Sequence, residues 1–468
     1  MNMDHFCLSP ELIRKILATA MGRGGDFADI FGEYSRFSTL MMEEGILKTA
    51  SYNIERGVGV RVVKGEKTGY AYTENLTEES FLEIAKTAAA IADDKGSEES
   101  YHVKSRSTDN FYKVSDPAID VELDKKIHWI VKANEAARAY DPKVKKVMVT
   151  FKDELRSLLM ADTRGNLITD QQPMIVFNVS VVAESNGERQ RAQAGDGGRV
   201  GISWIKEDKV KSWAEKAARE AVVLLDAREA PAGMLPVILG PGDSGILLHE
   251  AIGHPLEADF NRKGSSAYSN RIGEMVADPQ CTIVDDGTVS HDRGSINVDD
   301  ELNGSEKTVL IENGKLVSYM YDEMSARYFD VESSGNGRRE SYRFQPLPRM
   351  RTTYMLNGKY DPAEIVRSTE RGIFCKTFRG GQVDISNGNF IFMPSEAWLV
   401  EDGKISHPIK NLSLIGNGPD VLSKVNMVGN DFRMSSGIWT CGKGQSVPVG
   451  VGLPTVKISE MTVGGQDA

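Results

Sequence analysis

The segment His249-Glu250-Ala251-Ile252-Gly253-His254 places two imidazoles and a carboxylate within six residues. That is the inventory of a hydrolytic zinc site. It offers two nitrogen ligands and a glutamate beside the first that can take a proton from an attacking water. The spacing departs from the commoner zinc-protease pattern, in which histidines four apart share one helical face. On a regular helix at about 100° per residue, five steps turn the second histidine roughly 140° from the first. Either the helix carries a wide turn, or it ends between them. Gly253 as a C-terminal stop, and Pro255, which biases His254 away from the α region, favour an ending. On that reading His249 and Glu250 lie on the last turns of a helix, and His254 is swung back by its terminus.

A catalytic zinc needs a third protein ligand and an open position. Glu257 and Asp259 follow the Pro255 break; the other histidines and the four cysteines are further candidates. Cys281 and Cys375 sit in strand-like apolar surroundings, where a buried, inert thiol is expected. Cys441 leads. It lies in Gly437-Ile-Trp-Thr-Cys441-Gly-Lys443-Gly-Gln445, where glycines permit close backbone approach and Lys443 can favour the thiolate. His291 reads as an exposed turn residue. The pair Arg338-Arg339 can bind a substrate carboxylate bidentately, or form a solvated turn with Glu340 as local partner. No phosphate-binding Gly-x-x-x-x-Gly-Lys-Ser/Thr run occurs. Asp243-Ser244-Gly245 reads as a helix cap rather than a nucleophile elbow.

The elements that must position these residues fall into two halves. In the first, Ser9 caps a helix carrying Leu12, Ile13, Ile16 and Leu17, which stops at Gly22 to Gly25. Strands follow at Phe27 to Phe37, Thr39 to Ala50, Val58 to Val63 and Thr68 to Thr73. The last two flank a turn at Lys64-Gly65-Glu66-Lys67. Helices start near Thr77 and span about Val121 to Tyr140. Further strands run from Val144 to Lys152 and from Met174 to Glu184. A long helix then carries Val210, Trp213, Ala217, Ala221 and Leu224 on one face. A junction at Ala227 to Leu235 leads through the strand Pro236 to Leu239 into the histidine segment. Beyond Pro255 helices are scarce, with Ala363 to Ser368 the best candidate. Asn-Gly and Asp-Gly turns at 286, 303, 313, 357, 387 and 402 punctuate β-rich runs. The expected fold class is therefore α+β. An N-terminal mixed α/β domain (1–228) precedes a mainly antiparallel β-sandwich or distorted-barrel domain (229–468) that carries the zinc-motif helix.

Bulk properties set the remaining bounds. A chain of 468 residues with a formal charge of −11 lacks the basic balance of a nucleic-acid surface. No apolar run approaches the roughly 18 residues of a membrane span. Met1-Asn2-Met3-Asp4-His5 does not open a secretory signal. Four scattered cysteines suit a reducing compartment, so a cytoplasmic location is expected.

Several ordered blocks resemble one known family. The run His249 to Ser265 is similar to the TldD branch of the TldD/PmbA metalloproteases. So are Val284-Asp-Asp-Gly, Gly335-Asn-Gly-Arg-Arg-Glu-Ser-Tyr342, Gly380-Gly-Gln-Val-Asp384, Met427-Val-Gly-Asn-Asp431 and Val447-Pro-Val-Gly-Val-Gly-Leu-Pro454. The resemblance covers most of the chain and is strongest from about Gly240 onward. It implies a Zn²⁺-dependent peptidase in which His249, His254 and Cys441 are ligands and Glu250 is the catalytic glutamate. It implies a substrate that is an unfolded peptide or peptide precursor, and a dimer with a TldE/PmbA-like chain or with a second copy. Because the His-Glu motif is intact, the chain resembles the catalytic branch. The alternative is a non-catalytic, peptide- or gyrase-modulating binding protein with a structural zinc.

Overall fold

The computed structural model describes residues 3–92 and 101–464. Met1 and Asn2, at the start of the stretch read for a secretory pattern, lie outside the described residues. The N-terminal half is built on one long antiparallel sheet. Its strands run Lys67–Thr73, Ile46–Lys64, Phe27–Glu43, Val144–Asp162, Asn166–Ser185, and then Glu188–Gly198 at the far edge. Side chains alternate between faces along a strand, so each strand offers one row to each side. Ala28, Ile30, Leu40 and Met42 form one such row. Four helices cover that face. Pro10–Met21 and Glu78–Ala89 bury Ile13, Ile16, Leu17 and Phe81 against Val58, Val60 and Leu159. Leu123–Tyr140 and Glu207–Leu225 bury Ile130, Trp213 and Ala217 against Phe151, Phe177 and Val179.

The sequence places a break between strands near residue 38, whereas one strand runs unbroken through it to the turn at Glu44-Gly45. Ser38 is compatible with a strand because its hydroxyl is satisfied by Asp153, itself paired with the buried Lys126. The edge strand Glu188–Gly198 escapes sequence reading because its polar and glycine content hides the alternation.

The opposite face of this sheet meets the C-terminal half. Phe31, Leu158, Met160 and Ile168 pack against Val298, Leu302 and Tyr342. Around them, buried Arg61 bridges Asp29 and Glu301 at 2.6 Å each, and Arg339 reaches Asp29 at 3.2 Å.

In the C-terminal half, five strands close a barrel: Gly233–Leu239, Val456–Gly464, Ser413–Asn417, Asn389–Glu401 and Arg371–Val383, the last pairing back onto the first. A second sheet includes Lys307–Glu312, Ile283–Asp286, Thr352–Met355 and Gly450–Leu453. The fold class read from sequence is thus found, with the barrel rather than the sandwich as its second half. The Asn313-Gly314 and Asp402-Gly403 pairs form two-residue hairpins with positive φ at both positions. Asp286-Gly287 instead opens a long loop. The histidine segment lies between the barrel and the second sheet, inside one shared core.

Candidate metal centre

The histidine segment leaves the strand Gly233–Leu239 through Gly240-Pro241-Gly242. It then winds as a 3₁₀ turn (Asp243–Gly245), a short α turn (Ile246–Leu248), a π turn (His249–Gly253) and a 3₁₀ turn (His254–Leu256). The sequence reading of a helix that ends between the histidines is corrected here. His254 keeps helical angles, φ −57° and ψ −45°, and its N–H donates to the His249 carbonyl. That i→i+5 bond inserts one residue into the turn, so residues five apart return to one face. The two rings stand 5.0 Å apart with their planes at 81°.

Pro255 accounts for the wide turn. In a regular helix its ring would press on the Ala251 carbonyl and offer that carbonyl no N–H. Here the Tyr268 hydroxyl donates to the Ala251 carbonyl at 3.3 Å. Gly253 is not a stop either. Its backbone is helical, and a Cβ there would lie 1.9 Å from Met350 Sδ. Nor does Asp243 cap the segment. Its carboxylate accepts from the Ser436 amide and hydroxyl, both at 3.0 Å, and from Trp439 Nε1 at 3.2 Å. It thereby fastens the start of the segment to the chain that leads into Cys441.

Cys441 lies on the short strand Thr440–Gly442, paired with Ser446–Pro448. Gly437, four residues earlier, has φ +64° and lies against the backbone of Gly197 in the N-terminal sheet. Arg349, fully buried, donates to the carbonyls of Cys441 (2.8 Å) and Gln445 (2.9 Å). The result brings His249, His254 and Cys441 together, with one donor atom from each lying within 4.8 Å of the others. His254 Nε2 is 3.4 Å from Cys441 Sγ. Zinc bonds of about 2.0–2.1 Å to nitrogen and 2.3 Å to sulfur, at tetrahedral angles, separate two such donors by roughly 3.5 Å. His249 Nδ1 is buried with no hydrogen-bond partner among the described residues. The donor set and its geometry fit zinc, with three protein donors and one position left over.

The electrostatics agree. Burial pushes the Cys441 thiol up, but His249 and His254 beside it outweigh that and hold it down at about 5. Burial pushes His254 down, but Glu257 and Cys441 raise it well above the ordinary histidine range. Both shifts favour the charged pair, thiolate beside imidazolium, in the metal-free centre. Glu250 is half-buried, and its carboxylate makes no hydrogen bond among the described residues. Burial raises its carboxyl against the pull of the two histidines, with Cys441 and Glu257 adding to the rise. Cys281 and Cys375 are buried elsewhere; burial pushes the first up to about 12 and the second higher. His291 is an exposed turn residue at φ +60°.

Glu257 and Asp259, considered from sequence as third ligands, stand behind the centre. Glu257 Oε2 contacts His254 Nδ1 at 3.0 Å, and Asp259 holds Lys443 at 2.6 Å. Sequence reading missed Arg349. Its only signal is a cation embedded in the run Leu347-Pro-Arg-Met350, which nothing local explains.

Arg338 and Arg339, read from sequence as a fork for a substrate carboxylate or a turn with Glu340, pack against other parts of the chain. Both are buried. Arg338 donates to the carbonyls of Met350 (2.6 Å) and Pro448 (2.9 Å). Arg339 donates to Asp29 and to the Asp300 carbonyl, with its guanidinium 4.3 Å over the Phe31 ring. These contacts hold loops and the two halves together; Arg339 Nε and Nη1, both buried, have no hydrogen-bond partner among the described residues.

Comparison with known proteins points the same way. Residues 232–465 match the PmbA/TldA metallopeptidase C-terminal domain, 116–225 the central domain and 28–92 domain 1 of the same family. The metalloprotease TldD homolog of Haemophilus influenzae is 43% identical over 98% of this chain and 97% of its own. That of Buchnera aphidicola (subsp. Acyrthosiphon pisum) is 42% identical over 94% and 93%. The zinc metalloprotease TldD homolog of Saccharolobus solfataricus is 28% identical over 96% and 99%. Among solved structures, TldE from Thermococcus kodakarensis superimposes with a TM-score of 0.77 at 19% identity, covering 97% of this chain and 99% of that one. A Thermotoga maritima protein described as a proposed modulator of a DNA gyrase gives 0.80 at 21%, with the same coverage. At such identities the solved structures speak for the fold. Together, three family domains in order and relatives above 40% identity over at least 94% of the chain establish that this protein belongs to the PmbA/TldD metallopeptidase family.

Proposed function

We propose that the chain is a zinc-dependent metallopeptidase of the TldD type, cleaving unfolded or extended peptides with Glu250 as general base. One observation carries the reading. The Cys441 sulfur, almost two hundred positions away, converges on the two histidines, beside a Glu250 carboxylate that makes no side-chain hydrogen bond among the described residues. His249, His254 and Cys441 would hold the zinc. Bound there, the ion supplies Lewis acidity to a water and to the scissile carbonyl. Glu250 takes a proton from the attacking water and returns it to the leaving amine. Its raised carboxyl suits both steps, since a base nearer neutrality also donates more readily.

An extended substrate is supported by a cleft of about 390 Å³ between the N-terminal sheet and the barrel. One wall is the strand Glu188–Gly198, which among the described residues pairs with another strand on one side only. The cleft reaches Trp439, two residues from Cys441. Main-chain pairing along such a wall would tolerate many sequences. All four site residues belong to the proposed catalytic unit, 229–468. The proposed setting is cytoplasmic, and the proposed partner is a TldE/PmbA-like chain or a second copy. No helix among the described residues is long and apolar enough to cross a membrane.

The alternative, a binding protein with a structural zinc and a role such as gyrase modulation, takes its support from the description of the Thermotoga relative. Structural zinc sites are closed by four protein ligands, and three are assembled here. The test is Glu250→Ala. It should keep stoichiometric zinc and lose cleavage of unfolded peptide. Cleavage at the wild-type rate would sink the mechanism.

A further inference from the structure

We propose that Glu257 is a positioning residue that locks the histidine and thiolate sides of the metal centre into one unit. The inference rests on the zinc reading above and deepens it. Glu257 is fully buried. Its Oε2 meets His254 Nδ1 at 3.0 Å and the Lys443 ammonium at 3.1 Å; its Oε1 lies 3.7 Å from Arg349 Nε. A buried carboxylate with two cations is balanced only if those cations stay in place. Both cations serve the Cys441 hairpin. Arg349 holds the Cys441 and Gln445 carbonyls, and Lys443 is part of the hairpin itself. Lys443 is further tied to Asp259 and to the Pro348 carbonyl, and lies 4.3 Å over the Phe260 ring. Its ammonium is therefore engaged with these carboxylates, where the sequence suggested it would favour the thiolate.

The consequence for the ligands is geometric. In the neutral ring that would bind a metal, a hydrogen bond from His254 Nδ1 to Glu257 fixes which ring nitrogen carries the proton and which way the ring faces. Nε2 is thereby left toward Cys441 Sγ. The same carboxylate, through Lys443 and Arg349, fixes the height of the hairpin that delivers the sulfur. Histidine orientation and thiolate position are thus set by one side chain that would touch neither the metal nor the substrate.

A purely structural ion-pair cluster would lower stability when broken but leave the metal affinity of the folded protein alone. The test is therefore zinc affinity of the full chain, by competition with a chromophoric chelator. It is paired with the ligand-field spectrum of the cobalt-substituted protein. Glu257→Gln should weaken zinc about 10–100-fold and alter the cobalt bands, as loss of an outer carboxylate does elsewhere. Lys443→Met, which leaves Glu257 and His254 in contact, should weaken zinc by a smaller factor. Glu257→Gln with wild-type zinc affinity and cobalt spectrum would overturn the proposal. If that variant does not fold, Lys443→Met decides, and wild-type affinity there overturns the link to the hairpin. A wild-type protein that binds no zinc would instead overturn the metallopeptidase reading, and this inference with it.

Discussion

Gly437→Ala and Gly442→Ala separate the physical argument from mere proximity to the thiol. Gly442 is adjacent to Cys441; Gly437 is four residues away. Yet a Cβ on Gly442 would meet nothing within 4 Å, whereas one on Gly437 would lie 2.1 Å from the Gly197 carbonyl oxygen and 2.8 Å from its carbon. Backbone on both sides cannot rotate aside, so relief requires the two segments to part by roughly 1 Å or more. Gly437 also has φ +64°, where alanine costs about 1–2 kcal/mol. Overpacking adds about 1–3 kcal/mol, for a total of roughly 2–5 kcal/mol. The segment that must give is the one held to Asp243 through Ser436 and Trp439, and it ends at the Cys441 sulfur. If the metal-free variant relaxes by moving this segment, zinc binding must restore the strain. Even about 2 kcal/mol of that lowers affinity roughly 30-fold. Chelator competition and urea unfolding of both variants measure the effect. Gly437→Ala should lose zinc affinity and stability, and Gly442→Ala should match wild type. Wild-type affinity in Gly437→Ala, or greater damage in Gly442→Ala, would refute the reasoning.

Other outcomes follow from the protonation states. In metal-free protein carrying Cys7→Ser, iodoacetamide near pH 7 should modify Cys441, whose thiol is held at about 5, before the buried Cys281 and Cys375. Zinc should protect Cys441, Cys441→Ser should abolish stoichiometric zinc, and mass mapping that finds Cys281 modified first would contradict this. Glu257 sets a pH dependence. Burial raises its carboxyl, but Lys443, His254 and Arg349 bring it from 4.5 to about 2, so the folded state favours its ionised form. A depressed carboxyl stabilises fully above its unfolded value and loses that stabilisation as pH falls through its folded value. Metal-free wild type should therefore weaken between about pH 4.5 and 2 more steeply than Glu257→Gln. Parallel urea-midpoint profiles across that window would argue against the assignment.

The parts of the fold legible in sequence were those whose signals are local. Ser9 accepts from the Leu12 amide as a cap does, and the helix it starts ends at Met21 as the glycines predict. Asn313-Gly314 and Asp402-Gly403 turn where expected, because left-handed backbone selects those residues. Signals that depend on a tertiary neighbour misled. Gly253 looks like a stop, but its missing side chain makes room for Met350. Pro255 looks like a helix end, but the Tyr268 hydroxyl satisfies the carbonyl that proline cannot. Arg338 and Arg339 read from sequence as a ligand fork or as a turn paired with Glu340. Their partners, Met350, Pro448, Asp29 and Asp300, are all distant or backbone. The candidate ligands were legible because histidine, cysteine and glutamate advertise their chemistry. The residues that aim them were not legible in that role: Glu257 reads as a candidate ligand, and Arg349 advertises only charge, the commonest feature of a surface.

What brings Cys441 to the histidines is sheet register rather than the motif. Gly450–Leu453, downstream of the Cys441 hairpin, pairs in parallel with Thr352–Met355, and Thr352 stands opposite Gly450. Arg349 sits three residues before Thr352, so the same register that seats the strand delivers its guanidinium to the Cys441 carbonyl. On the other side of the thiol, Gly437 abuts Gly197 and Asp243 grips Ser436. The hairpin is thus fixed at both ends, on one side by the second sheet and on the other by the N-terminal sheet and Asp243, and the Glu257 cluster ties it to His254 as well. A one-residue slip of Gly450–Leu453 would move the sulfur by about 3.3 Å, about the spacing between the donors themselves. The ligand set therefore depends on the second sheet as much as on the π turn. The five-residue spacing works because a wide turn lets both imidazoles face a thiolate that the sheet holds in place.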